Sequence, residues 1–316
     1  MAAVAQNDLQ KVGPLWFSPD VVIIRAQTHI FRVFAAILKE KSSVFADMFT
    51  FPQPSSGTSD TNVETMEGFP VVALHDDPAE IEVFLKAIFD SEFFMPPPAQ
   101  CNVEDALGIL RLAHKYDVPY LRRRALEHLG LVYPTRLSEF DSRQGNPDAH
   151  SFATIVTATE VGALWLLPVP YYNTCRFDLS HLIKSRRWLD LGEEQRATCL
   201  IAYAALVQQF PKIYNFLHLS RGQGDDCEDW ARCNKVRLDI GFAIIPAFGP
   251  FANCPLDSCP EALWSAIKAT TCDSCVTESE SLHAAAREEC WDQLPKMFGL
   301  PGWDELEEMR RLALST

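Results

Sequence analysis

The sequence has no long apolar run and no excess of basic residues. None of its segments approaches the roughly 18 to 20 apolar residues that a membrane-spanning helix requires, so we expect no membrane span. The 28 Lys and Arg residues are outnumbered by 42 Asp and Glu residues, and the formal net charge is −14. Because binding to nucleic-acid phosphates needs a basic face, we expect no direct nucleic-acid binding.

The first residues, 1–11, lack the basic start and the apolar core of a signal peptide. An intracellular protein is therefore expected, with cytoplasm and nucleus left open. In such a compartment the ten cysteines are expected to be thiols or metal ligands rather than disulfides. Residues 1–15 are predicted to be a mobile leader.

The motifs of common catalytic sites are also absent. The sequence contains no Gly-x-Ser-x-Gly elbow, no glycine-rich phosphate loop and no His-Glu-x-x-His. His75, Asp76 and Asp77 are explained by the end of a strand and a helix cap that follows it. His114 and Asp117 are explained by the end of a helix. Because no nucleophile, base and oxyanion donor form a set, the protein is expected not to be an enzyme.

Residues 20–49 predict two strands followed by two helices. The apolar residues of 21–33 are β-branched or aromatic and suit half-buried strands. The apolar residues of 34–49 recur at helical spacing. Two further helices are predicted after Asp77 and Asn102, because these side chains can accept hydrogen bonds from the free N–H groups of a first turn. This mixture of strands and helices is typical of an α+β domain.

The first domain is predicted to extend over residues 16–130. Residues 52–68 are rich in Pro, Ser, Thr and Gly and are predicted to form a flexible surface loop. Residues 70–74 predict a short strand, and residues 121–129 a last helix. The domain is thus expected to contain about three strands and about five helices.

Six short motifs follow one another in this domain. They are Trp16-Phe17, Asp20-Val21-Val22, Phe31-Arg32-Val33, Asp47-Met48-Phe49, Pro52 to Pro54, and Gly68 to Val72. Their order resembles that of the BTB (POZ) domain, a protein-interaction module, in the form abundant in mushroom-forming fungi. The resemblance implies a small sheet flanked by helices, and a role in binding other proteins rather than in catalysis.

The resemblance also implies self-association, which would make the protein a homodimer. The dimer would form through the N-terminal segment and the first helices. The apolar residues available there are Trp16, Phe17, Phe31, Phe34 and Phe45. Asp20 stands where relatives have the aspartate of a charged groove. Since Ala35 replaces the basic residue of better-known relatives and Phe34 the usual histidine, Asp20 lacks its charged partner.

Two alternative functions stay open under this resemblance. One is a substrate adaptor of a cullin-type ubiquitin ligase, and the other is a transcription regulator that acts through a partner. Cullin-recruiting relatives tend to carry a hydrophobic residue two positions before a glutamate that follows the second helix. Here Asn62 has that position before Glu64, and Thr65 has it before Glu67. Because no Cys2His2 finger follows the domain either, a non-catalytic interaction scaffold is the favoured prediction.

Residues 131–316 predict a mainly α-helical second domain, because no alternating strand pattern stands out. A long helix is predicted over 193–217, with an interruption at Pro211. The other helical segments are 151–167, 177–188, 278–294 and 304–314. The large side chains expected to anchor the packing are Trp291, Phe298 and Trp303.

Seven of the ten cysteines lie between residues 227 and 290. Cys272 and Cys275 have the spacing at which two thiolates reach one tetrahedral metal from a tight turn. The candidates for a second pair are Cys227 with Cys233 and Cys254 with Cys259. The candidate set for a structural zinc ion is Cys227, Cys233, Cys272 and Cys275. Buried free thiols, which behave as small hydrophobes, and a redox dithiol stay open as alternatives that need no cofactor.

Overall fold

The computed structural model describes residues 20–50, 64–143, 147–218, 224–248 and 252–315. The predicted leader and residues 52–63 of the predicted loop lie outside these residues. The chain forms two compact units, residues 1–128 and 129–316. In the described residues the first unit combines a small sheet with helices, and the second is helical.

Four strands form a mixed sheet in the first unit. They are β1 (Val21–Ala26), β2 (His29–Phe34), β3 (Thr65–Met66) and β4 (Phe69–Leu74). The strand order is β2-β1-β4-β3. Strand β1 pairs with β2 antiparallel and with β4 parallel, and β3 pairs with β4 antiparallel. The strands predicted within 21–33 and over 70–74 are therefore confirmed.

Strand β3 corrects the prediction of a loop over 52–68. It pairs with the start of β4 across a turn in which Glu67 and Gly68 have positive φ values of 53° and 82°. Two successive positive φ values are typical of a tight type I′ hairpin turn. This strand could not be predicted from the sequence, because two residues are too few to display an alternating pattern.

Strand β1 lies inside the described sheet and β2 at its edge. Strand β1 is buried along most of its length, whereas half-buried and exposed residues alternate along the C-terminal part of β2. Phe31 and Val33 are half-buried, and Ile30, Arg32 and Phe34 are exposed. Strand β2 therefore turns one row of side chains outward, and as an edge strand it has backbone groups without a partner in the described ladder.

Five helices accompany this sheet in the part of the chain that the structure describes. They are α1 (Ala35–Lys41), α2 (Ser43–Thr50), α3 (Pro78–Phe89), α4 (Val103–Lys115) and α5 (Pro119–Val132). The division between the two units falls within α5. Both predicted caps are confirmed, because Asp77 accepts a hydrogen bond from the Ala79 N–H at 2.8 Å and Asn102 accepts one from the Glu104 N–H at 3.0 Å.

Ten helices make up most of the described second unit. They are α6 (Leu137–Asp141), α7 (Ser151–Glu160), α8 (Pro168–Cys175), α9 (Leu179–Lys184), α10 (Arg186–Asp190), α11 (Glu193–Ile213), α12 (Trp230–Phe248), α13 (Glu261–Thr270), α14 (Asp273–Met297) and α15 (Trp303–Ser315). The prediction of a mainly helical second half is thus confirmed for these residues.

The predicted interruption at Pro211 is wrong. Helix α11 continues through Pro211 and ends at Ile213. A proline removes the hydrogen bond to the carbonyl four residues earlier, which here belongs to Val207, a residue with an exposed side chain. Because the lost bond lies in the last turn and on an exposed side, the helix tolerates it.

The C-terminal part of α14 is held by stacked tryptophans. Trp291 and Phe298 are buried, as expected of packing anchors, whereas Trp303 is half-buried. The Trp303 ring stacks on the Trp291 ring with centroids 5.0 Å apart, and its Nε1–H donates to the Trp291 carbonyl at 2.8 Å. Trp291 in turn donates its Nε1–H to the Thr135 carbonyl at 3.3 Å. These contacts fix this end of α14 in the second unit.

Candidate metal centre

Four cysteine sulfurs lie together in the second unit. The Sγ atoms of Cys227, Cys233, Cys272 and Cys275 are all within 4.8 Å of one another. A tetrahedral zinc with Zn–S bonds of about 2.3 Å separates its sulfurs by about 3.8 Å. The four thiols are therefore near enough to bind one metal ion between them.

The start of α14 supplies two of these sulfurs. Cys272 is the residue before the helix, and Cys275 lies in its first turn. The Cys275 backbone N–H donates to the Cys272 sulfur, and this is the main reason why the pKa of the Cys272 thiol lies below its usual value. Because the N-terminus of a helix favours negative charge, the Cys272 sulfur is placed where a thiolate is stabilised.

The start of α12 and the turn before it supply the other two sulfurs. Cys233 lies in the first turn of α12, and its N–H donates to the Asp229 carbonyl at 3.1 Å. Asp229 also caps the helix, since its Oδ1 accepts from the Arg232 N–H at 3.1 Å. The Asp229 N–H donates to the Cys227 sulfur. Hydrogen bonds of this kind orient metal ligands before the metal arrives.

Gly224 joins the two halves of the cluster. Its N–H donates to the Cys275 sulfur, and its carbonyl accepts from the Cys227 N–H at 3.1 Å. A Cβ at this position would lie 2.5 Å from the Ser274 carbonyl carbon and oxygen. Glycine is therefore the residue that lets these segments approach. The sequence did not mark Gly224, because the contact joins segments that are distant along the chain.

Burial opposes ionisation of the Cys227 and Cys275 thiols in the absence of a cation. Cys233 and Cys275 are buried, and Cys227 and Cys272 are half-buried. Desolvation raises the pKa of the Cys227 thiol to about 12 and also raises the pKa of Cys275. A bound metal reverses this preference, because a coordinating thiol is deprotonated outright. The cluster thus suits a closed site whose ligands ionise as the metal binds.

The structure also decides between the two candidates for the second pair. Cys254 and Cys259 do not belong to the cluster. The Cys254 sulfur lies 3.9 Å from the Arg176 carbonyl, and Cys259 lies beside Tyr214. The described residues of the second unit contain no strand, so the βαβ setting of a thioredoxin-like dithiol is absent from them.

The residues predicted for a partner surface fall into four groups, of which the buried one is Phe45. Trp16 and Phe17 lie outside the described residues. Asp20 and Phe34 are exposed, with Phe34 54% accessible, and Phe31 is half-buried.

The prediction that Phe45 lies on the partner surface is wrong. Its side chain is only 1% exposed, and its ring stacks on Tyr116 with centroids 4.7 Å apart. Its place on α2 turns the ring into the core of the first unit, so Phe45 is a packing residue. The sequence missed Ile30, which is 52% exposed and precedes Phe34 on the same face of β2. Ile30 lies four residues before Phe34. This spacing could have indicated that the two side chains share a face, because alternate residues of a strand point to the same side of the sheet.

Comparison of the chain with models of protein families and with curated proteins found no match. None of the described helices combines the length and the apolar character needed to cross a membrane.

Proposed function

We propose that the protein is a non-catalytic interaction scaffold whose first unit is a BTB (POZ) domain. The observation that carries this proposal is the order of its elements: two paired strands, two short helices, a strand that returns parallel to β1, and three further helices. This order supports the resemblance drawn from the sequence motifs. Since a fold alone does not define a function, the proposal is tied to a particular surface.

That surface is the outward face of β2, and its proposed occupant is a second copy of the chain. Ile30 and Phe34 present apolar side chains there, with Arg32 between them. Exposed apolar side chains gathered at one place mark interaction sites more often than scattered ones do. Pairing of an edge strand also satisfies backbone groups that have no partner in the described ladder. Both features favour self-association through β2, by the side chains of its outward face and by backbone groups that have no partner in the described ladder.

Sedimentation equilibrium of the full chain and of Phe34→Asp tests this surface. The wild type is expected to behave as a dimer, and Phe34→Asp as a monomer with an unchanged circular dichroism spectrum, because the substituted side chain is exposed. Phe93→Asp is the matched control, since Phe93 is an exposed phenylalanine elsewhere in the first unit. A wild type that stays monomeric at every concentration, or a Phe34→Asp variant that stays dimeric, would contradict self-association through this face.

We further propose that the four clustered cysteines bind a structural zinc ion. The close approach of the sulfurs and the backbone N–H groups directed at them support a site with four protein ligands. Such a site has no open position for water and therefore stabilises structure rather than performing chemistry. The ion would connect the start of α12 with the start of α14.

Native mass spectrometry tests the zinc proposal directly. One zinc per chain is expected for the wild type, and none after replacement of Cys272 by serine. Cys290→Ser is the matched control, because Cys290 is a buried thiol outside the cluster and its loss should leave the metal in place. A wild type purified from zinc-containing medium without any metal, or a Cys272→Ser variant that retains it, would refute the site.

A further inference from the structure

Arg237 is a buried cation close to the thiol cluster. It lies on α12 four residues after Cys233, and residues at this spacing share one face of a helix. Its side chain is buried, with 1% exposure, and its Nε, Nη1 and Nη2 atoms have no hydrogen-bond partner among the described residues. A buried charge without a partner is costly, so this position requires a compensating anion.

The cysteines of the cluster are the groups that can supply the anion. Desolvation lowers the pKa of Arg237, and the charges that oppose this shift are those of the four cysteines, with Cys275 first. Neutral thiols would leave the positive charge of the Arg237 guanidinium without a negative charge to compensate it. Four thiolates with one divalent cation carry a net charge of −2, and the guanidinium reduces the charge of this assembly to −1.

We propose that Arg237 is the counter-charge of the tetrathiolate metal centre. Its guanidinium stabilises the four deprotonated cysteines with their bound divalent cation, and thereby raises the affinity of the site for the metal. Arg237 is not a ligand, because a guanidinium stays protonated in proteins and has no free lone pair for a metal. Its role is to favour the ionised, metal-bound cluster over four neutral thiols. This inference rests on the metal site proposed above.

Metal titration of three variants tests the role of the charge. Metal-free full-length protein is titrated with Co²⁺, whose visible absorption reports tetrahedral thiolate ligation, and then with Zn²⁺ against a competing chelator. Arg237→Met is expected to weaken Zn²⁺ binding by about 10- to 100-fold, the usual effect of losing a group that supports the ligands. Arg237→Lys keeps the charge and should restore most of the affinity. Lys235→Met removes the same charge from an exposed position of α12 and should change nothing.

A second measurement separates a charge effect from a packing effect. In the metal-free state Arg237→Met should unfold at the same or a higher denaturant concentration than the wild type, because an uncompensated buried cation has been removed. In the metal-bound state the wild type should unfold at a higher denaturant concentration than Arg237→Met. A residue that only fills space would destabilise both states when truncated, and that result would overturn the inference.

The outcomes distinguish this inference from the proposal on which it depends. If the wild type binds neither Co²⁺ nor Zn²⁺, the metal site itself fails, and Arg237 with it. If the wild type binds Zn²⁺ and Arg237→Met binds it equally well, only the counter-charge role is overturned. Equal losses in Arg237→Lys and Arg237→Met would also overturn it, because the charge would then not be the property that matters.

Discussion

Acidification is expected to destabilise the second unit through His283, a buried imidazole on α14. The ring is enclosed by aromatic side chains, with centroids 5.4 Å from Trp264 and 5.8 Å from Phe216, both edge-on. Its Nε2 has no hydrogen-bond partner among the described residues. Burial, helped by the nearby charge of Arg287, lowers the pKa of His283 from 6.5 to about 4.

The sign and size of the effect follow from this lowered pKa. Above pH 6.5 the imidazole is neutral in both the folded and the unfolded chain, so it does not affect the stability. Below pH 6.5 the unfolded chain binds a proton that the folded chain binds only near pH 4, so the stability falls as the pH falls. At about 1.4 kcal/mol per pH unit, the free energy of unfolding should lose roughly 3 kcal/mol by pH 4.

Denaturant unfolding between about pH 7.5 and pH 4.5 measures this loss. His283→Phe keeps an aromatic ring and removes the titratable group, so its stability relative to the wild type should improve steadily as the pH falls through this range. Phe298→Leu is the control, because Phe298 is a buried ring of the second unit that stacks on Tyr171 and not on the imidazole. Its difference from the wild type should be the same at every pH. Identical pH dependence in the wild type and in His283→Phe would refute the assignment.

Two further pairs of substitutions test the packing. Gly224→Ala should destabilise the second unit by about 1 to 3 kcal/mol and weaken metal binding about tenfold or more, because the new Cβ would displace the backbone of Ser274. In Gly302→Ala the new Cβ meets nothing within 4 Å, so calorimetry should record a loss below about 1 kcal/mol. Phe45→Ala should cost about 3 to 5 kcal/mol in chemical denaturation, whereas Phe242→Ala, at a ring that is 74% exposed, should stay within about 0.5 kcal/mol. Equal losses within either pair would contradict the contacts described.

Much of the first unit could be predicted from the sequence, because its signals are local. A capping side chain such as Asp77 or Asn102 acts on N–H groups two or three residues ahead, so the residues that define the start of the helix are adjacent in the sequence. The change from strand to helix after Phe34 is likewise visible in the spacing of apolar residues. Strand β3 escaped prediction, since it is defined by its partner β4 rather than by its own two residues.

The candidate site shows the same division between local and distant information. The spacing of Cys272 and Cys275 marks a metal-binding pair without any knowledge of the fold. The choice of Cys227 and Cys233 as their partners needs the tertiary structure, because it depends on where α12 begins relative to α14. Arg237 was missed for a different reason. Its position one turn after Cys233 was visible, but an arginine on a helix is usually solvated, and only its burial makes it informative.

The position of the cluster indicates what a metal would contribute to the second unit. Helix α14 is held near its C-terminus by the stack of Trp291 and Trp303, which needs no metal. Its N-terminus lies at the cluster, so a metal would fix the opposite end of the same helix. The chain between Cys233 and Cys272 is about 40 residues long, and a cross-link that closes a loop of this length contributes roughly 4 kcal/mol in the chain-entropy model. Because the unit also has an extensive apolar core, loss of the metal should release the starts of α12 and α14 rather than unfold the whole unit, as stability is not uniform across a structure.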